Sequence, residues 1–179
     1  KFYHLFLLTP QGVQYKGQQI VTTPVISNFG QSVFSPDGNM FVVYQAVLIA
    51  GSKNIHIYDF DRCLGMLQEK AFITLNDTAV GAGAAISPNS RYLYIMAHWK
   101  IHQFDLWAAD IAATQTTVAV WDGFYDYEIF PTNFNLGQLG PDGKIYVNTR
   151  SMSTRYFHVI ENPNEAGIAC NVAQHSLQL

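Results

Sequence analysis

The sequence predicts an all-β protein built from repeats, and three observations support this prediction. A short phrase with a central proline occurs three times, at Ser32–Gly38 (SVFSPDG), Ala84–Ser90 (AAISPNS) and Gly137–Gly143 (GQLGPDG). The prolines of successive copies are 52 and 53 residues apart. Short runs of β-branched and aromatic residues follow each copy, and such runs favour strands. A fixed period of this length is typical of a repeat architecture.

Each repeat is predicted to contain four strands. The first lies in the repeated phrase and leads into a turn in which proline fixes φ, Asp bonds to nearby backbone and Gly adopts a positive φ. The second strands are predicted at Met40–Tyr44, Tyr92–Met96 and Ile145–Val147, the third at Ile55–Phe60, Ile101–Leu106 and Phe157–Glu161, and the fourth at Ala71–Leu75, Thr116–Trp121 and Ala169–Gln174. Ala108–Ala113 is the one helix-like stretch, and it is too short to form a stable helix.

The opening residues predict part of a further unit. Phe2–Leu7 matches the third strand of the repeats, and Ile20–Ile26 would then be the last strand of that unit. The predicted domain boundaries are therefore a partial unit at 1–28 and three units at 29–80, 81–133 and 134–179, the last of which need not be complete.

Four-stranded units with this period predict the blades of a β-propeller rather than a sandwich. A small residue begins the first strand of every copy (Ser32, Ala84, Gly137), as expected for an innermost strand, where blades converge on the axis. Propellers close with about four to eight blades. We therefore predict a partial arc of about three and a half blades of the YVTN- or WD-repeat kind, with apolar blade faces uncovered at both ends.

Composition excludes several classes of function. Hydrophobic residues make up 49% of the chain and charged residues 13%, which predicts a folded globular protein. The net charge of −3 and the scattered lysines and arginines argue against a nucleic-acid partner, and no run of apolar residues is long enough for a membrane-spanning helix. The chain begins at Lys1, which we interpret as a mature or excised piece. Cys63 and Cys170 lie about two units apart and are not expected to pair with each other.

Histidines recur at one position of every unit: His4, His56, His102 and His158. Packed sheets lie about 10 Å apart, whereas zinc needs each ligand atom about 2 Å away. We therefore interpret these histidines as packing residues and predict no metal site. The nucleophile elbow, the phosphate-binding loop and the calcium-binding loop are also absent from the sequence. The sequence thus predicts no catalytic residue, no cofactor and no enzyme activity.

Loops on one face are the predicted place for a ligand. By propeller geometry the segments 45–54, 75–83 and 123–133 share a face, and loops on a rigid scaffold are free to vary. The candidate ligand-binding residues are Trp121, Asp122, Tyr125, Asp126, Asn76, Asp77 and Lys53. The first four belong to an acidic aromatic stretch, and aromatic faces beside carboxylates can hold sugars or cations. Packing between blades explains the aromatic residues equally well.

Longer motifs carry a resemblance to one group of proteins. They are Phe34–Gly38 (FSPDG), Ile57–Gly65 (IYDFDRCLG), Ile86–Tyr94 (ISPNSRYLY), Gln103–Leu106 (QFDL), Gln138–Val147 (QLGPDGKIYV), Val159–Asn164 (VIENPN) and Gly167–Asn171 (GIACN). Together they resemble the propeller region of large exported proteins of Bacteroidota, in which adhesive modules and a gliding-motility-associated signal for type IX secretion commonly follow. The resemblance implies an extracellular or cell-surface location, with further blades and modules of the same polypeptide as partners. It supplies no catalytic residues.

Three functions remain open from the sequence. The main interpretation is a non-catalytic propeller module of a secreted or cell-surface protein that mediates binding, adhesion or scaffolding, with an unknown protein or glycan as ligand. The alternative is a lactonase-like or quinoprotein-like propeller enzyme with its site at the axis mouth. That alternative needs carboxylate or histidine ligands from several blades, whereas the innermost strands offer Ser, Gln, Ala and Gly. The third is a structural spacer.

Overall fold

The computed structural model describes residues 2–21, 29–46, 53–75, 81, 83–151 and 153–179. Its strands are β1 (Phe2–Thr9), β2 (Gly12–Ile20), β3 (Gly30–Phe34), β4 (Met40–Ala46), β5 (Lys53–Asp61), β6 (Met66–Leu75), β7 (Gly83–Ile86), β8 (Tyr92–Met96), β9 (Lys100–Asp105), β10 (Thr116–Val120), β11 (Tyr125–Asp126), β12 (Phe130–Pro131), β13 (Phe134–Leu139), β14 (Ile145–Thr149), β15 (Tyr156–Ile160) and β16 (Val172–Gln178). Two short 3-10 turns, Ala112–Thr114 and Gly167–Cys170, are the helical elements of the described residues. None of these elements is a helix long and apolar enough to cross a membrane.

The strands form three four-stranded antiparallel sheets, which confirms the all-β prediction. The first sheet has the order β3-β4-β5-β6, the second β7-β8-β9-β10 and the third β13-β14-β15-β16. A hairpin of β1 and β2 precedes them, and β11 pairs with β12 between the second and third sheets. Each sheet lies within one of the predicted units, although the unit boundaries themselves stay a prediction.

The strand predicted at Ile20–Ile26 lies mostly outside the described residues, which include only Ile20 and Val21 of it, and it stays a prediction. β2 ends at Ile20 and pairs with β1 through a tight hairpin closed by Thr9 and Gly12, with Gly12 at φ +115. One predicted strand has different bounds. The strand predicted at Ala169–Gln174 begins at Val172, after a 3-10 turn that ends in the left-handed conformation of Asn171 (φ +53). The helix-like stretch Ala108–Ala113 contributes only to the first 3-10 turn.

The repeated turn is held by local hydrogen bonds. In the first copy the Ser35 hydroxyl accepts from the Met40 N–H at 2.9 Å and donates to the Asp37 carboxylate at 2.5 Å. Ser87 makes the same pair of bonds with Tyr92 and Asn89 in the second copy. The third copy has Gly140 in place of the serine and pairs Leu139 with Ile145, which makes its turn one residue shorter than the turn that pairs Ile86 with Leu93.

The core consists of layers between neighbouring sheets. Between the first and second sheets lie the buried side chains of Val42, Tyr44, Ile55, Ile57, Leu93, Ile95 and Phe104, among others. Between the second and third sheets lie those of Tyr94, Met96, Ile101, Phe134, Ile145, Val147 and Cys170. A smaller cluster joins the hairpin to the first sheet and includes Val43, Tyr58 and Leu67, with Tyr3 packed against it. The first sheet therefore buries one face against the hairpin and the other against the second sheet, and the second sheet buries its other face against the third.

The outer face of the hairpin is uncovered. Phe2, Phe6, Leu8, Val13 and Tyr15 on this face are 54%, 62%, 79%, 67% and 55% exposed. The first sheet covers the opposite face of the hairpin through Tyr3, whose ring meets Phe41 edge-on at 5.9 Å. The hairpin thus carries the kind of uncovered apolar face that the sequence predicts for the end of an arc.

Candidate functional site

The first strands of the three sheets converge on a common cavity. It has a volume of about 260 Å³ and is lined by Gln31, Ser32, Val33, Phe34, Pro36, Ala85, Ile86, Gly137, Gln138 and Leu139. These residues belong to β3, β7 and β13 or to the turn after β3. We call this space the axial cavity, because it lies where the innermost strands of the sheets meet.

Glycine permits the close approach of these strands. A Cβ atom added at Gly83 would lie 1.9 Å from the backbone oxygen of Asn135, at the start of the third sheet. One added at Gly137 would lie 1.9 Å from Cε of Met96, the end of a flexible side chain. The Asn135 backbone cannot move aside as the Met96 side chain can, so a side chain is tolerated less well at Gly83 than at Gly137.

Gln31 joins all three innermost strands. Its amide nitrogen donates to the Gly137 carbonyl at 2.8 Å. Its amide oxygen accepts from the Ala84 N–H at 3.0 Å and from the Gly137 N–H at 3.3 Å. One side chain in the first sheet therefore bonds to backbone in the second and in the third, which fixes the width of the axial cavity.

The described lining of the axial cavity is uncharged and combines apolar with polar side chains. Gln31, Ser32 and Gln138 contribute amide and hydroxyl groups, and no carboxylate, imidazole or cationic side chain is among the residues that line it. Asp37 follows the lining residue Pro36. Burial alone would raise its pKa, but hydrogen bonds from Ser35, Asn39 and Ser90 outweigh that effect and lower it. The polar side chains of the lining can therefore bind and orient hydroxyl groups. The adjacent Asp37 carboxylate already accepts hydrogen bonds from Ser35 and Asn39 within the turn.

The repeated histidines do not converge. His56, His102 and His158 are buried within their own sheets, whereas His4 is exposed on the hairpin. No three metal-binding side chains come together in the part of the chain that the structure describes. His158 packs against the Phe134 ring at 4.7 Å, and its Nδ1 accepts from the His175 N–H at 3.0 Å. Desolvation lowers the pKa of His158 to about 4.

Three of the predicted ligand residues are not in a described exposed loop. Asn76 and Asp77 lie outside the described residues. Lys53 was predicted in a loop, but the pairing of β4 with β5 continues through Ala46 and Lys53, so Lys53 is part of a strand and only 2% exposed. Its burial corrects the expectation of a lysine offered to a ligand.

Three of the four predicted residues of the acidic aromatic stretch reach solvent and the fourth is buried. Trp121 is half-buried, Asp122 is exposed after the end of β10, and Tyr125 is exposed in β11. Asp126 is 1% exposed and accepts hydrogen bonds from the Arg155 guanidinium at 2.7 Å and the Arg155 N–H at 2.9 Å. The Arg155 hydrogen bond is the main cause that lowers the pKa of Asp126. The Asp126 carboxylate thus acts as a clamp that joins β11 to the residue before β15, and it is not available to a ligand.

Sequence reasoning missed Gln31 and Trp99. Gln31 directly precedes the repeated phrase, and its partners lie 53 and 106 residues away, a separation that no local pattern indicates. Trp99 lies in the β8–β9 turn, and its ring lies 4.9 Å from that of Trp121. A tryptophan in a short turn between two buried strands is the signal that could have identified it.

No family model matches the sequence, and no curated protein matches it. Solved structures do match. A protein from Lactobacillus plantarum aligns with a TM-score of 0.62 at 14% identity, over 99% of this chain and 48% of that chain. A candidate 6-phosphogluconolactonase from Bacteroides uniformis aligns with a TM-score of 0.57 at 16% identity, over 97% of this chain and 50% of that chain. A protein of unknown function from Desulfotomaculum acetoxidans aligns with a TM-score of 0.56 at 18% identity, over 97% and 50%.

These likenesses show the fold, which is β-propeller-like. The chain spans about half the length of these similar structures. They also correct the prediction that the chain is not an enzyme, because the Bacteroides uniformis protein with the same fold is a candidate lactonase. The absence of a nucleophile motif was therefore the wrong basis for excluding catalysis in this fold.

Proposed function

We propose that this chain is an arc of a lactonase-like propeller enzyme, whose substrate binds at the mouth of the axis. The observation that carries this proposal is the axial cavity, where three innermost strands bring uncharged amide and hydroxyl groups to one space. The arc comprises three blades, formed by the three sheets, and a partial blade formed by the hairpin. The activity would be that of the whole ring. This chain would contribute part of the substrate-binding surface, and the carboxylate or histidine side chains that catalysis needs would come from the other blades of the ring.

The lining suits the ring of a sugar-acid lactone. Such a ring carries several hydroxyl groups and no charge on its reacting atoms. Amide and hydroxyl side chains can therefore bind it without the cost of burying a charged side chain. In lactone hydrolysis, the oxygen of water bonds to the ring carbonyl carbon and the ester C–O bond breaks. The proton from water then passes to the released alkoxide. Ser32 and Gln138 would orient the hydroxyl groups of the ring, while Gln31 holds the strands apart at a fixed distance.

The test uses the full-length polypeptide that contains this arc and measures its hydrolysis of 6-phosphogluconolactone and of δ-gluconolactone in a pH-stat, corrected for the spontaneous reaction. We expect a rate above the spontaneous one, and a kcat/KM about fivefold lower for Gln138→Ala, since one hydrogen bond contributes roughly 1 kcal/mol. Gln14→Ala is the matched control because Gln14 is exposed on the hairpin and shares no contact with the cavity. Calorimetry with gluconate measures product binding independently of turnover. Absence of both turnover and gluconate binding would exclude the proposal.

Location forms a separate proposal. The motif resemblance to exported Bacteroidota proteins supports an extracellular or cell-surface placement, with type IX secretion of a longer polypeptide and adhesive modules beside the propeller. Fractionation of native cells with an antibody to this chain tests it. Detection only in the cytoplasmic fraction would refute the placement and leave the lactonase proposal untouched.

A further inference from the structure

A row of aromatic side chains lies at the rim of the second sheet. The ring centroids of Trp99 and Trp121 are 4.9 Å apart, and those of Trp121 and Tyr125 are 5.3 Å apart. Trp99 is 39% exposed and Tyr125 is 45% exposed. We call these three residues the aromatic rim. None of them lines the axial cavity.

The aromatic rim is held in place by hydrogen bonds from beneath. The Trp121 N–H donates to the Trp99 carbonyl at 2.8 Å, which ties the end of β10 to the β8–β9 turn. The Trp121 indole N–H lies 3.4 Å from the hydroxyl oxygen of Thr132, a fully buried residue. Tyr125 directly precedes Asp126, whose carboxylate Arg155 anchors. Because these side chains are ordered before any ligand arrives, binding would cost little conformational entropy.

Asp122 is the charged residue that directly follows Trp121 of the aromatic rim, and it is exposed. Its carboxylate lies 2.9 Å from Nε2 of His175 and accepts a hydrogen bond from the Phe124 N–H at 3.1 Å. Lys100 pairs with Val120, so its side chain lies on the opposite face of the strand from Trp121. The Asp122 carboxylate would repel an anionic ligand. A neutral ligand with hydroxyl groups avoids this repulsion and can donate hydrogen bonds to the carboxylate.

We propose that the aromatic rim binds a neutral saccharide. A pyranose ring presents C–H groups on its faces and hydroxyl groups around its edge. The faces pack on the exposed rings of Trp99 and Tyr125, and hydroxyl groups at the edge donate to the Asp122 carboxylate. The aromatic rim and the axial cavity share no residue. The saccharide proposal and the lactonase proposal can therefore be refuted independently.

Tryptophan emission measures this binding directly. The chain has three tryptophans, of which two are in the aromatic rim and the third, Trp107, lies in the turn after β9 and is 64% exposed. In a Trp107→Phe background all tryptophan emission comes from the rim. We titrate this variant with cellohexaose, laminarihexaose and chitohexaose. A saturable change in emission with at least one of them, unchanged in roughly 0.5 M NaCl, is expected for a neutral ligand.

Variants locate the site. Trp99→Ala and Tyr125→Ala should each weaken binding about tenfold, which is about 1.4 kcal/mol, whereas Tyr125→Phe keeps the ring and should retain most of the affinity. Trp107→Ala is the matched control and should bind like the parent chain in calorimetry. Thermal unfolding shows whether each variant is folded. If Trp99→Ala does not fold, the affinity of Tyr125→Ala tests the proposal alone.

Three results would overturn the proposal. One is the absence of a saturable change with all three oligosaccharides. Another is equal affinity in the parent chain, Trp99→Ala and Tyr125→Ala. The last is binding that disappears with added salt, which would indicate a charged ligand instead.

Discussion

His158 makes the stability of this protein depend on pH. The imidazole is fully buried, its ring packs on Phe134, and desolvation lowers its pKa to about 4 from an ordinary value of 6.5. The unfolded chain therefore binds a proton between about pH 6.5 and pH 4 that the folded chain does not bind. Stability is complete above pH 6.5 and falls as the pH is lowered toward 4. From pH 7.5 to pH 4.5 this one group should cost about 2 to 3 kcal/mol.

Urea unfolding, followed by tryptophan fluorescence at pH 7.5, 6.5, 5.5 and 4.5, measures this loss. His158→Asn is the comparison variant because an amide oxygen can still accept from the His175 N–H but does not titrate. The variant should be less stable at pH 7.5, and its stability should fall less steeply on acidification. His175 and Asp122 also influence the pKa of His158, so both are kept in the variant. Equal pH slopes for the two proteins would refute the reasoning.

Two further predictions concern the packing between sheets. Gly83→Ala should lower the free energy of unfolding by about 3 kcal/mol, because the new Cβ atom meets the backbone of Asn135. Gly137→Ala should lower it by only about 1 kcal/mol, because its Cβ atom meets the flexible side chain of Met96. Urea titration measures both losses, and equal losses would contradict this reasoning. Asp126→Asn should lower the midpoint of thermal unfolding more than Lys70→Met, because Asp126 is a buried carboxylate held by Arg155 while Lys70 belongs to an exposed pair. A larger effect of Lys70→Met in scanning calorimetry would show that the clamp contributes little.

The strands and turns could be predicted because their signals are local. Pro36, Pro88 and Pro141 mark one turn in three copies, and the apolar runs after them alternate or bury completely, as strands in packed sheets do. The strand at Tyr92–Met96 has the predicted bounds. The error in bounds falls where the local signal is weak, at the strand predicted at Ala169–Gln174, which begins at Val172 because a 3-10 turn occupies Gly167–Cys170.

The candidate sites were harder to predict because they depend on contacts between distant parts of the chain. The side chain of Gln31 bonds to a strand 106 residues later, and nothing near Gln31 in the sequence indicates this. Lys53 and Asp126 are charged residues inside predicted loops, and charge at such positions ordinarily indicates exposure. Both are buried, Lys53 in the paired part of β5 and Asp126 beneath Arg155. Of the three residues of the proposed aromatic rim, Trp121 and Tyr125 were candidate ligand-binding residues and Trp99 was not.

The arrangement at the axis determines which substitutions can separate function from folding. The Gln31 side chain in β3 bonds to the other two innermost strands, so its loss would weaken the packing of the sheets and widen the cavity at the same time. A lower activity of a Gln31 variant could then not be assigned to substrate binding. Ser32 and Gln138 line the same cavity but are exposed, and the Gln138 side chain donates to the adjacent Leu139 carbonyl at 3.3 Å and to no other described residue. Substitutions at these two positions should change binding while the unfolding free energy stays within about 0.5 kcal/mol of the parent chain. For this reason Gln138, and not the better-connected Gln31, is the residue on which the lactonase proposal should be tested.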